Sequence, residues 1–285
     1  MLARLGRRFA ACLPLAVLCA ASATGGCAAP SEPDDSDPAV AADMLVGGKR
    51  EARWAGSGFL LRGDSLERLD KTKVACGATL IAPNVVVTAA HCVTDAGATF
   101  AFGTGDVGSS PLVRVTERHT HPKYHPEAVG GIDLVHALRK YDVAYLVLER
   151  DVDFAKPAEL IDEKPAVGCN VQAIGYRAEG TTPVKKSTPA CVLFRVTLGT
   201  DPIFEVHPQG FTALCQADGD EGSPVVQRSG DRHVLVGIFV GSVTQALTDC
   251  RRGTQYLNGY ESMYGYGDFL REGIAKARES RPARD

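Results

Sequence analysis

The sequence predicts an all-β protein. From residue 45 onward, short apolar runs rich in β-branched residues alternate with Gly, Pro, Asn and Asp. No long helical period separates these runs, which favours antiparallel barrels or a sandwich over βαβ units. Only the end of the chain has a helical pattern, with Leu270 and Ile274 one turn apart and Asp268 placed to cap the helix. A body of about 240 residues is large enough for two small barrels.

The individual strands follow from the same pattern. The clearest pair flanks Pro83-Asn84, because two apolar runs with a tight turn between them have the shape of a β-hairpin. The full set of predicted strand runs is 75–81, 85–89, 99–102, 112–116, 143–148, 171–174, 191–198, 224–227 and 234–240.

Composition excludes several classes of protein. The 285 residues are 45 % hydrophobic and 23 % charged, with a net charge of -3, which is ordinary for a soluble globular chain. This composition and net charge exclude a fully disordered chain, a coiled coil and a protein that binds nucleic acid through a basic surface. The body from residue 45 is close to neutral, since residues 27–44 carry five acidic residues and no basic one.

Two patterns resemble ligand sites but are better explained as loops. Residues 103–108 match G-x-G-x-x-G, yet Ser109-Ser110-Pro111 and another strand follow where a dinucleotide site needs a helix. The cluster of His119, His121 and His125 suggests a metal, but it lacks a Cys or acidic partner at ligand spacing and is rich in turns. We therefore expect no cofactor and no metal.

Residues 1–26 have the layout of an export signal. Three arginines precede an apolar run over residues 9–23, which is too short to span a bilayer comfortably. Ala21-Ser22-Ala23 resembles an ordinary cleavage site, whereas Thr24-Gly25-Gly26-Cys27 resembles a bacterial lipobox, in which Cys27 is lipidated.

The cysteine count distinguishes these two interpretations. Cleavage after Ala23 leaves seven of the nine cysteines, whereas lipidation of Cys27 leaves six, an even set suited to an oxidising compartment. We expect an extracytoplasmic lipoprotein held to a membrane only by its N-terminal lipid, with a secreted soluble protein as the alternative. Residues 27–44, rich in Pro, Asp and Ala, are predicted to be a disordered tether.

Four segments of the body, in order, resemble the trypsin/chymotrypsin (S1) family of serine peptidases. They are Leu45-Val46-Gly47-Gly48, then Cys76-Gly-Ala-Thr-Leu-Ile with Val87-Thr88-Ala89-Ala90-His91-Cys92, then His121-Pro122-Lys123-Tyr124 with Tyr141-Asp142-Val143-Ala144, and finally Cys215 with Gly219-Asp220-Glu221-Gly222-Ser223-Pro224-Val225. The resemblance implies two antiparallel six-stranded β-barrels, over about 45–150 and 151–262. A C-terminal helix and tail would cover 263–285, and the site would lie between the barrels.

The resemblance also implies roles for individual residues. His91 would be the general base and Asp142 the carboxylate that fixes its tautomer. The backbone N–H groups of Gly219 and Glu221 would form the oxyanion hole. Asp220 would pair with the ammonium of Leu45 after an activation cleavage.

The disulfide pattern follows from the same resemblance. It implies the pairs Cys76–Cys92 and Cys215–Cys250, and Cys169 and Cys191 remain as the third pair.

The chain departs from the family at the nucleophile. Glu221 stands where the family has its serine, and a carboxylate there has no proton for His91 to remove. Ala217-Asp218 are two extra residues after Cys215, and Ala213 at the pocket floor does not support specificity for Arg or Lys. The strand over residues 237–241 also lacks the usual Ser-Trp.

The sequence therefore predicts a member of this family that has lost its peptidase activity. We expect it to bind a peptide or protein in the cleft between the barrels. The alternative is an active serine-type endopeptidase that uses Ser223 or a rearranged loop. Ser223 is displaced by two residues, and such a displacement misplaces it relative to the oxyanion donors. A metal site made of His91, Asp142 and Glu221 is a third and weaker hypothesis, because loss of the serine explains the glutamate without a metal.

Overall fold

The computed structural model describes residues 48–128, 139–179, 181–198, 201–208, 219–229, 232–242 and 258–280. Strands of the first half are β1 (Lys49–Arg50), β2 (Ser57–Gly63), β3 (Cys76–Ala82), β4 (Val85–Thr88), β5 (Thr99–Thr104), β6 (Val113–Thr120), β7 (His125–Ala128), β8 (Arg139–Lys140) and β9 (Ala144–Leu148). Those of the second half are β10 (Glu159–Leu160), β11 (Gly168–Glu179), β12 (Thr182–Leu198), β13 (Asp201–Pro208), β14 (Pro224–Ser229), β15 (Arg232–Ser242) and β16 (Asn258–Ser262), and helix α1 (Gly267–Glu279) follows. Within these residues, no helix combines the length and the apolar character needed to cross a membrane.

The first half forms a closed barrel. Strands β2, β3, β4, β9, β6 and β5 pair in that order, and every pairing is antiparallel. Each strand contributes a buried apolar side chain to the interior: Leu60, Leu80, Val86, Leu146, Val113 and Phe102. All four residues of β4 are buried, because neighbouring side chains serve different cores. Val86 packs into the barrel interior, whereas Val87 packs into a second cluster shared with the other half.

The second half forms a ring of strands. Strands β12, β11, β14, β15, β16 and β13 pair in that order, and β13 pairs back onto β12, with all pairings antiparallel. The short strand β1 adds to the edge of β12, and β10 runs parallel to β15. The predicted fold class is confirmed: the protein is mostly β, with a short helix at the C-terminus.

Helix α1 packs against the first barrel, although it lies at the other end of the chain. Gly273 permits this approach, since a Cβ atom at that position would lie 2.7 Å from the ring of Tyr145 on β9. The predicted cap was wrong: Tyr266 is the N-cap residue, and Asp268 lies inside the first turn. There its charge still interacts favourably with the N-terminal end of the helix dipole.

The strand predictions were correct in position but incomplete. Every predicted run lies in or overlaps a strand, and residues 105–112 after β5 form a loop, as expected for the glycine-rich segment. Strands β2, β13 and β16 were not predicted, and neither were the short strands β1, β7, β8 and β10. The five residues of β16 include no aliphatic side chain, although all of them are buried.

Candidate active site

Strand pairing explains why His91 and Asp142 meet. Strands β4 and β9 are antiparallel neighbours, and the last residue of β4, Thr88, lies opposite Ala144, the first residue of β9. The segment that follows β4 and the segment that precedes β9 therefore lie at the same edge of the barrel. His91 lies in the 3₁₀ turn after β4, and Asp142 lies two residues before β9.

The two side chains form a complete imidazole–carboxylate pair. One carboxylate oxygen of Asp142 lies 2.6 Å from His91 Nδ1, and the other accepts a hydrogen bond of 2.8 Å from the His91 backbone N–H. Asp142 is fully buried, whereas the His91 side chain remains 19 % exposed. The carboxylate can therefore fix the orientation and tautomer of the imidazole.

A second carboxylate supports Asp142 from the other barrel. Glu261 on β16 accepts the Asp142 backbone N–H at 3.0 Å through Oε1 and the Tyr266 hydroxyl at 2.8 Å through Oε2. Glu261 and Tyr266 are both buried. Neither residue could be recognised in the sequence, since no motif includes them and Glu261 lies 119 residues from Asp142. The only sequence feature that could have pointed to Glu261 is its position in a short segment without aliphatic residues.

The segment 219–223 makes close backbone contact with the first barrel. Gly77 on β3 donates its N–H to the Glu221 carbonyl at 2.8 Å. Gly222 has a φ of 79°, and a Cβ there would lie 2.2 Å from Thr88 Oγ1 and 2.4 Å from the Gly77 carbonyl oxygen. Only a glycine fits this position, because both the backbone conformation and the space exclude a side chain.

The Glu221 side chain turns back onto its own segment. Its Oε2 atom accepts the backbone N–H of Gly219 at 2.9 Å. Gly219 is the predicted first donor of the oxyanion hole, and its φ of 99° is one that residues with a side chain rarely adopt. A carboxylate thus occupies the backbone N–H that the sequence analysis predicts as an oxyanion donor.

Ser223, the alternative nucleophile, is fully buried. Its hydroxyl packs against the backbone of β3, so that a Cβ on Gly77 would lie 2.0 Å from Ser223 Oγ. Within the described part of the chain, this Oγ atom has no hydrogen-bond partner. Its backbone is fixed from both sides, because the Ser223 N–H bonds to the Asp220 carbonyl and the Ser223 carbonyl accepts the Phe239 N–H, both at 2.8 Å.

Asp220 is fully buried against the second barrel. Its Oδ1 accepts the backbone N–H of Tyr176 at 2.9 Å. Burial raises the pKa of the Tyr176 phenol well above its usual value, and the charges of Asp106 and Asp220 act in the same direction. The expected partner, Leu45, lies outside the described residues, so its pairing with Asp220 stays a prediction.

Two of the expected disulfides are present. Cys76–Cys92 joins the start of β3 to the turn that carries His91, and Cys169–Cys191 joins β11 to β12. The predicted pair Cys215–Cys250 lies outside the described residues, as do Cys27 and Ala213.

Two histidines of the cluster at residues 119–125 have aromatic partners. His119 stacks on Tyr145 with ring centroids 4.6 Å apart, and His121 stacks on Tyr141 at 5.3 Å. His91 Nε2 also lies 3.8 Å from Cys92 Sγ. That sulfur belongs to a disulfide, so it cannot supply the thiolate that a metal site uses.

A cleft of about 750 Å³ opens beside Gly219. Its walls come from the loop after β2 and the segment between His91 and β5, and they carry charged side chains of both signs: Arg62, Asp64, Asp70, Lys73 and Asp95. Arg62 and Asp95 form an ion pair across it. The candidate site contains an imidazole–carboxylate pair and a backbone N–H held by a carboxylate, and the polar cleft adjoins it at Gly219.

Two β-barrels with an imidazole–carboxylate pair at their boundary define a trypsin-like serine peptidase fold. The sequence model of the family described as Trypsin matches residues 63–262, and the chain belongs to that family. It is also similar to a protein named trypsin from Saccharopolyspora erythraea, with 29 % identity over 171 residues that cover 53 % of this chain and 70 % of the relative.

The fold is shared with solved serine proteases. Neuropsin, a serine protease expressed in the limbic system of mouse brain, superposes with a TM-score of 0.58. The match covers 80 % of this chain and 99 % of neuropsin, at 18 % identity. Disulfides form and persist in oxidising compartments, and trypsin-like proteases with disulfides are typically extracellular.

Proposed function

We propose that this chain is an exported pseudoprotease, which binds a peptide or protein segment between its barrels and does not hydrolyse it. The observation that carries the proposal is the position of Glu221. Its carboxylate replaces the hydroxyl nucleophile and accepts the Gly219 N–H at 2.9 Å. Hydrolysis loses two contributions at once, the activated nucleophile and a donor for the oxyanion.

The geometry of Ser223 supports binding over hydrolysis. An activated serine needs its hydroxyl within hydrogen-bond reach of the imidazole and exposed to the substrate carbonyl. Ser223 is fully buried against β3, and its backbone hydrogen bonds fix it there. Serving as the nucleophile would require Glu221, Gly222 and Ser223 to leave their present contacts together.

The proposed ligand site includes the cleft beside Gly219, whose lining comes from the first half of the chain except for Gly219 itself. A volume of about 750 Å³ is in the range of ligand pockets, and a mixed polar lining suits the backbone and side chains of a peptide. The ligand would be a protein or peptide segment rather than a nucleic acid, since the chain has a net charge of -3.

The proposed location is outside the cytoplasm, with a lipid on Cys27 as the membrane anchor. The export-signal layout and the cysteine count support this location, and a secreted soluble protein is the alternative. Intact mass should show a mature chain that begins at an acylated Cys27, and Cys27→Ser should move the protein to the soluble fraction. An unmodified N-terminus at Thr24 would contradict the anchor.

Labelling with a fluorophosphonate probe tests the loss of activity. The full chain is expressed with its own signal, and the mature N-terminus is read by mass spectrometry before labelling. We expect no adduct on the wild-type protein. A Glu221→Ser variant, processed in the same way, is the matched control, because an adduct on the new serine shows that the remaining site can activate a hydroxyl. An adduct on Ser223 of the wild-type protein would contradict the proposal.

A further inference from the structure

Glu261 is unusual because it is a fully buried carboxylate with a defined donor on each oxygen. Oε1 accepts from the Asp142 backbone N–H at 3.0 Å, and Oε2 accepts from the Tyr266 hydroxyl at 2.8 Å. Burial of a charged carboxylate is unfavourable unless such donors compensate the lost hydration. A neutral apolar residue would fill the same space without that cost, so the carboxylate calls for an explanation.

The backbone at Asp142 is a place where such support matters. Tyr141 has a φ of 55°, a left-handed conformation that residues with a side chain rarely adopt and that strains the backbone. The Val143 N–H bonds back to the Tyr141 carbonyl at 2.8 Å, so the chain turns tightly around Asp142. The hydrogen bond to Glu261 fixes the peptide plane between Tyr141 and Asp142, and this plane sets the direction of the Asp142 side chain.

We propose that Glu261 is a positioning residue that orients Asp142 and, through it, the His91 imidazole. Tyr266, at the start of α1, holds the second oxygen of Glu261 and keeps the carboxylate aimed at Asp142. The chain of contacts runs from Tyr266 through Glu261 and Asp142 to His91, and it links the second barrel and the helix to the general base. This role does not depend on Glu221, so it can be tested independently of the proposed loss of peptidase activity.

The His91 Nδ1 proton reports on this role. In the full-length wild-type protein, a proton between His91 Nδ1 and a carboxylate oxygen 2.6 Å away should resonate far downfield and exchange slowly enough to be observed. Asp142→Asn, which should abolish that resonance, assigns it. We expect Glu261→Ala to lose or broaden the resonance, and Glu261→Gln to restore it, because the glutamine amide oxygen can still accept the Asp142 N–H.

A second measurement covers the case in which Glu261→Ala fails to fold. Tyr266→Phe keeps the ring and removes only the hydroxyl that holds Glu261. We expect hydrogen exchange at the Asp142 amide to become about tenfold faster in this variant, because the acceptor is no longer held in place. A folded Glu261→Ala protein with an unchanged Nδ1 resonance would overturn the proposal. Equal Asp142 exchange rates in Tyr266→Phe and wild type would also overturn it.

Discussion

The two halves of the candidate site are stabilised in different ways. The base half, made of His91, Asp142 and Glu261, is held by hydrogen bonds between side chains and backbone across the two barrels. The nucleophile half, residues 219–223, is held mainly through its backbone: the Glu221 carbonyl accepts the Gly77 N–H at 2.8 Å, and the Gly222 N–H donates to the Phe239 carbonyl at 2.7 Å.

Because of this difference, we expect the two halves to respond differently to substitution. A segment held by its backbone tolerates a new side chain at position 221, provided that the side chain finds its own partner. Glu221 finds that partner in the Gly219 N–H, inside the same segment. The base half depends on the identity of each side chain, so a substitution there would disturb its neighbours.

The largest expected effect is the loss of stability in Gly222→Ala. A methyl group would lie 2.2 Å from Thr88 Oγ1 at a φ of 79°, so overpacking and backbone strain add together to about 3 kcal/mol of lost unfolding free energy. Gly105→Ala is the matched control, since its φ is 75° but nothing lies within 4 Å, and it should cost only about 1 kcal/mol. Urea unfolding measures both. Equal losses in the two variants would show that backbone packing does not hold the nucleophile half.

A smaller effect is a pH dependence of the unfolding free energy that arises at Lys185, outside both halves of the site. It must be measured first, so that it is not mistaken for a titration at the site. Lys185 on β12 is buried and donates to the carbonyls of Trp54 at 2.9 Å and Ser57 at 3.0 Å. Burial lowers the pKa of Lys185 to about 8, against the opposing influence of the Glu51 and Asp106 charges.

The sign of the pH effect follows from this lowered pKa. Between the folded pKa of about 8 and the ordinary value of 10.5, the unfolded chain binds more protons than the folded chain, so stability rises with pH. We expect a gain of about 1 kcal/mol between pH 7 and pH 9. Lys185→Gln should remove this rise, measured by urea unfolding at both pH values. A rise of the same size in the variant would assign it to another group.

The site residues that could be predicted from the sequence are those that lie in local motifs. His91 and Asp142 could be predicted because the segments that carry them resemble motifs of the family, and the structure brings the two residues together at the ends of the neighbouring strands β4 and β9. Glu261 could not be predicted, since its partner is 119 residues away and its strand has no apolar alternation. The orientation of the Glu221 side chain was also beyond the sequence, because it depends on the φ of Gly219.

The Gly219 amide tests the central claim most directly, namely that the Glu221 carboxylate occupies the oxyanion donor. Hydrogen exchange and the proton chemical shift of this amide are measured by NMR in the wild-type protein and in Glu221→Ala. We predict exchange about tenfold slower and a resonance further downfield in the wild-type protein, because its N–H donates to a carboxylate 2.9 Å away. A Gly219 amide with the same exchange rate and chemical shift in both proteins would contradict the claim.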